Sequence, residues 1–185
     1  MAKLFAEKDI PYICSPLTGK TAEELLEQLE NIKVKQPDLI EWRADFFDDL
    51  HDEAAVVGLL KEMQATTEIP FLFTIRSVHE GGEEIALSEA EKVALICHVC
   101  AKTDVALVDY ETSNDRNDVE KIRDLARDHG KSLILSYHNF TETPENEDLL
   151  ARAHLAEELG ADFVKLAVMP ETKDDVFRLL EVTRQ

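Results

Sequence analysis

The chain is poor in the features that announce several large functional classes. Only three of its 185 residues are cysteine (Cys14, Cys97 and Cys100), an odd count too sparse for a disulfide framework and suited to a reducing compartment. Glycine and proline number six each, and neither a low-complexity segment nor a linker interrupts the sequence. Basic side chains are outnumbered 20 to 39 by acidic ones, and the net charge of −19 repels polyphosphates and anionic head groups at long range. Nucleic acid and membrane are therefore poor partners. No apolar run approaches the ~18 to 20 residues of a membrane span, and the opening stretch Met1 to Asp9 turns acidic before a signal-peptide hydrophobic region could form. A soluble, cytoplasmic protein is expected.

What is present is a core and a rhythm. Hydrophobic residues make up 44% of the chain, enough for one domain over residues 1–185. The acids cluster where helix exteriors would lie, as in Glu23-Glu24-x-x-Glu27 and Glu145-x-Glu147-Asp148, and read as solvated surface. Short apolar runs (Pro11 to Leu17, Asp38 to Arg43, Pro70 to Arg76, Val105 to Asp109, Ser132 to Tyr137, Phe163 to Val168) alternate with stretches of helical period. These stretches are Ala22 to Ile32, Ala54 to Met63, Ala90-x-x-Val93-Ala94-x-x-Cys97, Val119 to Ala126 and Leu149 to Ala156. Thr21-x-x-Glu24 and Ser88-x-x-Glu91 read as capping boxes, Thr143-Pro144 as a cap followed by a first-turn proline, and Gly130 and Gly160 as helix stops.

Six strand-then-helix units imply parallel strands joined by right-handed crossovers, either in an open doubly wound sheet or in a (β/α)8 barrel. The open sheet usually carries a glycine-rich phosphate loop after its first strand. Ser15-Pro16-Leu17-Thr18-Gly19-Lys20-Thr21 lacks the glycine spacing of both the dinucleotide and the P-loop patterns. The barrel is two units short of closure. Periodicity leaves the two architectures open.

Strand parity puts chemistry on one face. Glu41 shares a face with Arg43, Thr74 with Arg76, Asp109 with Glu111, Ser136 with His138, and Lys165 with Ala167, while Ser15 ends the first strand. Lys165 sits within Phe-Val-Lys-Leu-Ala-Val-Met, where loss of water favours the neutral amine that attacks carbonyls; a buried ion pair with Glu41 or Asp109 is the alternative. His138 closes its strand with an imidazole able to shuttle protons. Glu80-Gly81-Gly82-Glu83 forms a loop that can bring a carboxylate over the rim, and Asp109 and Glu111 are read as partners of Arg43 and Arg76. Cys97-His98-Val99-Cys100 has metal-ligand spacing but no second pair, and reads as helix packing.

Glu41-Trp42-Arg43-Ala44-Asp45, Phe71-Leu72-Phe73-Thr74-Ile75-Arg76, Glu80-Gly81-Gly82-Glu83, Ser136-Tyr137-His138-Asn139-Phe140 and Lys165-Leu166-Ala167-Val168-Met169-Pro170 together resemble the type I 3-dehydroquinate dehydratases, lyases of the shikimate pathway of aromatic amino-acid biosynthesis with a (β/α)8 TIM-barrel fold. The resemblance implies that Lys165 is the Schiff-base lysine, His138 the general acid and base, and Glu80 the carboxylate that holds it. Ser15, Glu41, Arg43, Arg76 and Met169 would bind substrate. No metal or cofactor is implied, and a homo-oligomer, a dimer, is expected. Asn139 stands where many members have Asp. The family continues beyond the position of Gln185 with two more βα units, which supply an arginine and a lid, so the chain is expected to be a C-terminally shortened barrel of low turnover that self-associates through open strand edges. A catalytically dead remnant that binds a partner, or another Schiff-base lyase or aldolase, are the alternative readings.

Overall fold

Each predicted apolar run overlaps a strand, with the fourth and fifth strands each running two residues past the predicted end. The computed structural model describes residues 10–185, so the acidic stretch Met1 to Asp9 lies outside the described residues. The strands are β1 (Cys14–Leu17), β2 (Leu39–Arg43), β3 (Phe71–Thr74), β4 (Leu107–Glu111), β5 (Ser132–Asn139) and β6 (Phe163–Val168). Each is followed by a helix: α1 (Ala22–Lys33), α2 (Glu53–Gln64), α3 (Glu89–Lys102), α4 (Arg116–Asp128), α5 (Asn146–Glu158) and α6 (Lys173–Arg184).

The six strands form one parallel sheet in sequential order. One contact decides between the two architectures. Glu41 on β2 and Lys165 on β6 are four strands apart, roughly 19 Å across a flat sheet at about 4.8 Å per strand. Their side chains nevertheless lie 3.6 Å apart, so the sheet curls into an incomplete (β/α) barrel. Among the described residues, β1 and β6 each pair on one side only.

Strand parity divides the side chains into two populations. Leu17, Ile40, Trp42, Phe71, Phe73, Val108, Tyr110, Leu133 and Leu135 face outward into the core beneath the helices. Trp42 packs edge-on against Phe47 and Phe73, with ring centroids 5.6 Å away in each case. Inside the barrel, Leu39, Leu72, Leu107 and Ile134 make a small apolar floor. The inward positions nearer the strand C-termini are polar, and this is the face on which parallel barrels carry their chemistry.

The helix starts follow their caps, with two departures. Ser88 and Glu91 form the full reciprocal box of α3, and an equivalent box, Thr172 with Asp175, opens α6. At α1 the Thr21 hydroxyl accepts from the Glu24 N–H, but the Glu24 carboxylate takes the Lys20 N–H, so the box is half made. The expected cap at Thr143-Pro144 is corrected: α5 begins at Asn146, and the Thr143 hydroxyl donates instead to the Met169 carbonyl at 2.9 Å. The buried face of α3 is also corrected. It is Val93, Leu95, Ile96, Val99 and Cys100, with Lys92 among them, while Ala94 lies outside it. Gly130 and Gly160, with φ of +67° and +86°, end α4 and α5 as expected.

Candidate active site

Lys165 projects from the middle of β6 into the barrel, its Nζ 3.6 Å from Glu41 Oε1 and 3.5 Å from Asp109 Oδ2. Both carboxylates are fixed by neighbours that the fold supplies from adjacent strands. Thr74 Oγ1 donates to Glu41 at 2.9 Å, and Ser136 Oγ donates to Asp109 Oδ1 at 2.6 Å. The expectation that strand burial strips water from Lys165 is not met. Its side chain is 36% exposed and stands between two acids. The ion-pair alternative is therefore the resting arrangement, and it leaves the amine partly exposed to solvent.

Arg76 is placed deeper than its expected role at the rim. Its side chain is 2% exposed, with Nη1 donating to Glu111 at 2.9 Å and to Ser136 at 2.7 Å, and Nη2 lying 2.8 Å from Asp109. Burial works against the guanidinium's charge, but Asp109 and Glu111 outweigh it and raise its pKa. The expected pairing of Asp109 and Glu111 with Arg76 is found, whereas Arg43 takes a different partner. Arg43 forms a two-point contact with Asp45, at 2.9 and 2.8 Å. Asp45 is the junction of this side of the site, since it also accepts the backbone N–H groups of Arg76 and Glu83.

The Gly-Gly turn carries Glu80 inward. Gly81 adopts a φ of +81°, and a Cβ there would lie 2.4 Å from the Phe140 ring; one at Gly82 would lie 2.0 Å from the Arg76 carbonyl. Only glycine fits both places, so this is no ordinary solvated turn. Glu80 is 5% exposed. Its Oε2 accepts both the backbone N–H of His138 and its ring Nδ1–H at 2.9 Å, and its Oε1 accepts the Ser113 hydroxyl at 2.9 Å. A carboxylate can only accept, so Nδ1 carries the proton and Nε2 is the nitrogen left for proton transfer. Phe140 stacks on the imidazole at 6.4 Å.

The remaining expected residues divide. Met169 follows β6 with its side chain 43% exposed and its N–H donating to the Asn139 carbonyl. Ser15 is corrected. It pairs in register with Ile40, whose side chain lies in the outer core, while Pro16 pairs with Glu41, so Ser15 is on the helix side of β1 and Pro16 faces the site. The Asn139 side chain forms its hydrogen bonds away from His138. Its Oδ1 accepts from Thr141 and Glu142 and its amide donates to the Tyr137 hydroxyl, so it shapes the following loop. Cys97 and Cys100 pack on α3, with burial pushing both thiols up, that of Cys100 to about 12. Among the described residues no group of three or more His, Cys, Asp and Glu is arranged to hold a metal ion.

Against known proteins, the family model of Type I 3-dehydroquinase matches residues 13–185. The chain belongs to the type I 3-dehydroquinases. A 3-dehydroquinate dehydratase of Geobacillus thermodenitrificans is 44% identical over 183 residues, covering 98% of this chain and 71% of that relative. The crystal structure of the 3-dehydroquinate dehydratase of Geobacillus kaustophilus superposes with a TM-score of 0.92 at 41% identity, over 95% of this chain and 68% of the other. A type I 3-dehydroquinate dehydratase of Clostridium difficile, solved with covalently modified comenic acid, gives a TM-score of 0.90 at 35% identity, over 94% and 69%.

Within this type I dehydroquinase, five residues that build the site have no role assigned from the sequence. Asp45, Thr74, Ser113 and Ser136 are short polar groups that hold Arg43, Glu41, Glu80 and Asp109 in place. Thr74 and Ser136 were legible from strand parity. Ser113 sits in the loop after β4, where no periodicity reaches. The fifth, Lys92, belongs to a helix.

Proposed function

We propose that the protein dehydrates 3-dehydroquinate to 3-dehydroshikimate, a cytoplasmic step of the shikimate pathway, through an imine on Lys165. The observation that carries the reading is the gathering of Lys165, Glu41, Asp109 and the His138–Glu80 pair on the inner face of one barrel. The Lys165 amine, in its neutral form, adds to the substrate ketone, and the carbinolamine loses water to give an iminium. That cation draws electrons from the neighbouring carbon, so His138 Nε2 can remove a proton there. The resulting enamine expels the β-hydroxyl, which leaves as water with the proton that His138 returns. Hydrolysis of the conjugated iminium then frees the product and the amine. Glu80 keeps Nε2 aimed and stabilises the imidazolium, while Glu41, Arg43 and Arg76 bind the substrate's hydroxyl groups and shape the site. Met169 lines the same end of β6. The covalently modified comenic acid named for the Clostridium difficile relative supports covalent chemistry in a protein of this fold.

Borohydride reduction in the presence of 3-dehydroquinate, followed by peptide mass mapping of the full-length protein, tests this directly. A substrate-sized adduct on Lys165 is expected. Adducts on other lysines, or none in an active preparation, would reject the imine route. The reading includes a homodimer, supported by the exposed Val176, Phe177 and Leu180 of α6. Sedimentation that finds only monomer at all concentrations would remove that part.

A further inference from the structure

Lys92 lies on the buried face of α3, outside the barrel, with a side chain 2% exposed. Burying an ammonium is costly, and an apolar residue of similar size commonly serves stability as well as a buried ion pair does. Its nearest partner is an acid of the strand layer. Nζ donates to Glu111 Oε2 at 3.1 Å and sits 5.2 Å from the centre of the Tyr110 ring, with the half-exposed Glu89 at 3.7 Å on the solvent side. Glu111 uses its other oxygen, Oε1, to accept from Arg76 Nη1 at 2.9 Å and from the Ser77 backbone N–H at 3.0 Å. Ser77 begins the turn that delivers Glu80. Charges therefore alternate in contact from the helix layer to the nucleophile: Lys92, Glu111, Arg76, Asp109, Lys165.

The two ends of this chain differ in how fully their hydrogen bonds are spent. Arg76 Nη1 is fully engaged by Glu111 and Ser136, and Nη2 is buried against Asp109, 2.8 Å from its Oδ1, while Asp109 Oδ2 faces Lys165 at 3.5 Å with no hydrogen bond of its own. An acceptor left free beside the nucleophile fits a substrate that supplies the missing contact. Glu111 can hold Arg76 in that orientation only while ionised. Burial pushes its carboxyl up, but Lys92 first and Arg76 second hold it down at about 2.

We propose that Lys92 is a positioning residue for the reaction, neutralising Glu111 from the helix side so that Arg76 keeps Asp109 placed beside Lys165 and the Ser77–Glu80 turn stays seated. This rests on the reading of Arg76 as a substrate-binding residue. Lys92 touches neither substrate nor reacting atoms. The charged and polar groups facing Glu111 are Lys92 and, behind it, Glu89 from α3, Arg76 from the segment after β3 and Asn114 from the loop after β4, with Asp109 and Ser136 reached through Arg76. Among these Lys92 and Arg76 alone are cations, so loss of Lys92 leaves Glu111 to Arg76.

The test compares Lys92→Met, which keeps the side chain's length without charge, with Lys92→Arg, which keeps the charge. Lys92→Gln stands by should the Met variant not fold. Carboxyl NMR of glutamate-labelled protein should place the Glu111 midpoint at least about one unit higher in the Met variant, and the Arg76 Nε–H should exchange faster with water. Steady-state kinetics should give a KM for 3-dehydroquinate raised roughly three- to tenfold with kcat little changed, and a fall of kcat/KM on the acid side that the wild type and the Arg variant lack. An unmoved Glu111 midpoint with unchanged Arg76 exchange overturns the proposal. So does a moved midpoint with an unchanged KM, since a merely structural lysine would produce that. A wild-type protein that does not convert 3-dehydroquinate would instead reject the proposed function, while the NMR comparison still decides whether Lys92 sets Arg76.

Discussion

Lys165→Ala in the full-length protein should lower turnover by about 10⁴-fold or more, the scale seen when an enzyme loses the nucleophile on which its covalent route depends. The structure sharpens this into a comparison of variants. Lys165→Arg keeps a cation between Glu41 and Asp109, which lie 3.6 and 3.5 Å from the present ammonium, and so preserves the electrostatics of the resting site. A guanidinium cannot form the imine, so this variant should be as inactive as Lys165→Ala. Their stabilities should differ in the opposite sense. Asp109 is fully buried and has Arg76 as its other cation, so removing the lysine charge leaves a partly compensated carboxylate in the interior, while the Arg variant keeps it paired. Turnover assays alongside thermal melting read both effects. Comparable activity in Lys165→Arg and the wild type would show that charge, rather than covalency, is what this position contributes.

The legibility of the fold followed the range of the forces that set it. Local signals, apolar runs for β1 to β6, capping boxes for α1 and α3, and glycines after α4 and α5, place the elements to within a few residues. Closure is a different matter, because the curl that brings Glu41 to Lys165 accumulates over four strand pairings, each with its own register, and no single segment encodes it. The error at Ser15 has the same origin. Side chains alternate with period two, so a strand whose start is uncertain can be assigned the wrong face by a shift of one residue. In β1 the arbiter is Leu17, fully buried in the outer core, which forces Ser15 outward and turns Pro16 toward the site.

The site was legible where strands build it and obscure where other layers do. Glu41, Arg43, Arg76, His138 and Lys165 follow from parity. Asp45 comes from the turn of 3₁₀ helix after β2, Ser113 from the loop after β4, and Lys92 from the buried side of α3. For Lys92 the signal existed and pointed elsewhere. Reading Ala90, Val93, Ala94 and Cys97 as the packed face of α3 leaves Lys92 out of it, whereas the larger Leu95, Ile96 and Val99 define a face that includes it. A lysine in register with the biggest apolar residues of a helix is a buried charge, and a buried charge has a partner to be sought.

His138→Ala should reduce kcat by roughly 10² to 10⁴-fold, the usual cost of a lost general acid–base group, with substrate binding and some imine formation retained. The expectation depends on how the imidazole is held. Glu80 grips His138 twice, through its backbone N–H and its ring Nδ1–H, so the backbone contact survives in the Ala variant and the end of β5 keeps its place. The loss is then chemical rather than structural, and borohydride should still trap substrate on Lys165, though slowly. Glu80→Gln separates the two functions of the carboxylate. An amide oxygen can still accept from the backbone and from Nδ1, so orientation is largely kept, but the negative charge that stabilises the imidazolium is gone, and the decrease should be smaller than for His138→Ala. Ser113→Ala removes one donor to Glu80 from the opposite side and should be milder again. The ordering His138→Ala, then Glu80→Gln, then Ser113→Ala is what a chain of support acting through one imidazole requires. A Glu80 variant more damaged than the His138 variant would mean that the carboxylate transfers protons itself, and that the histidine only positions it.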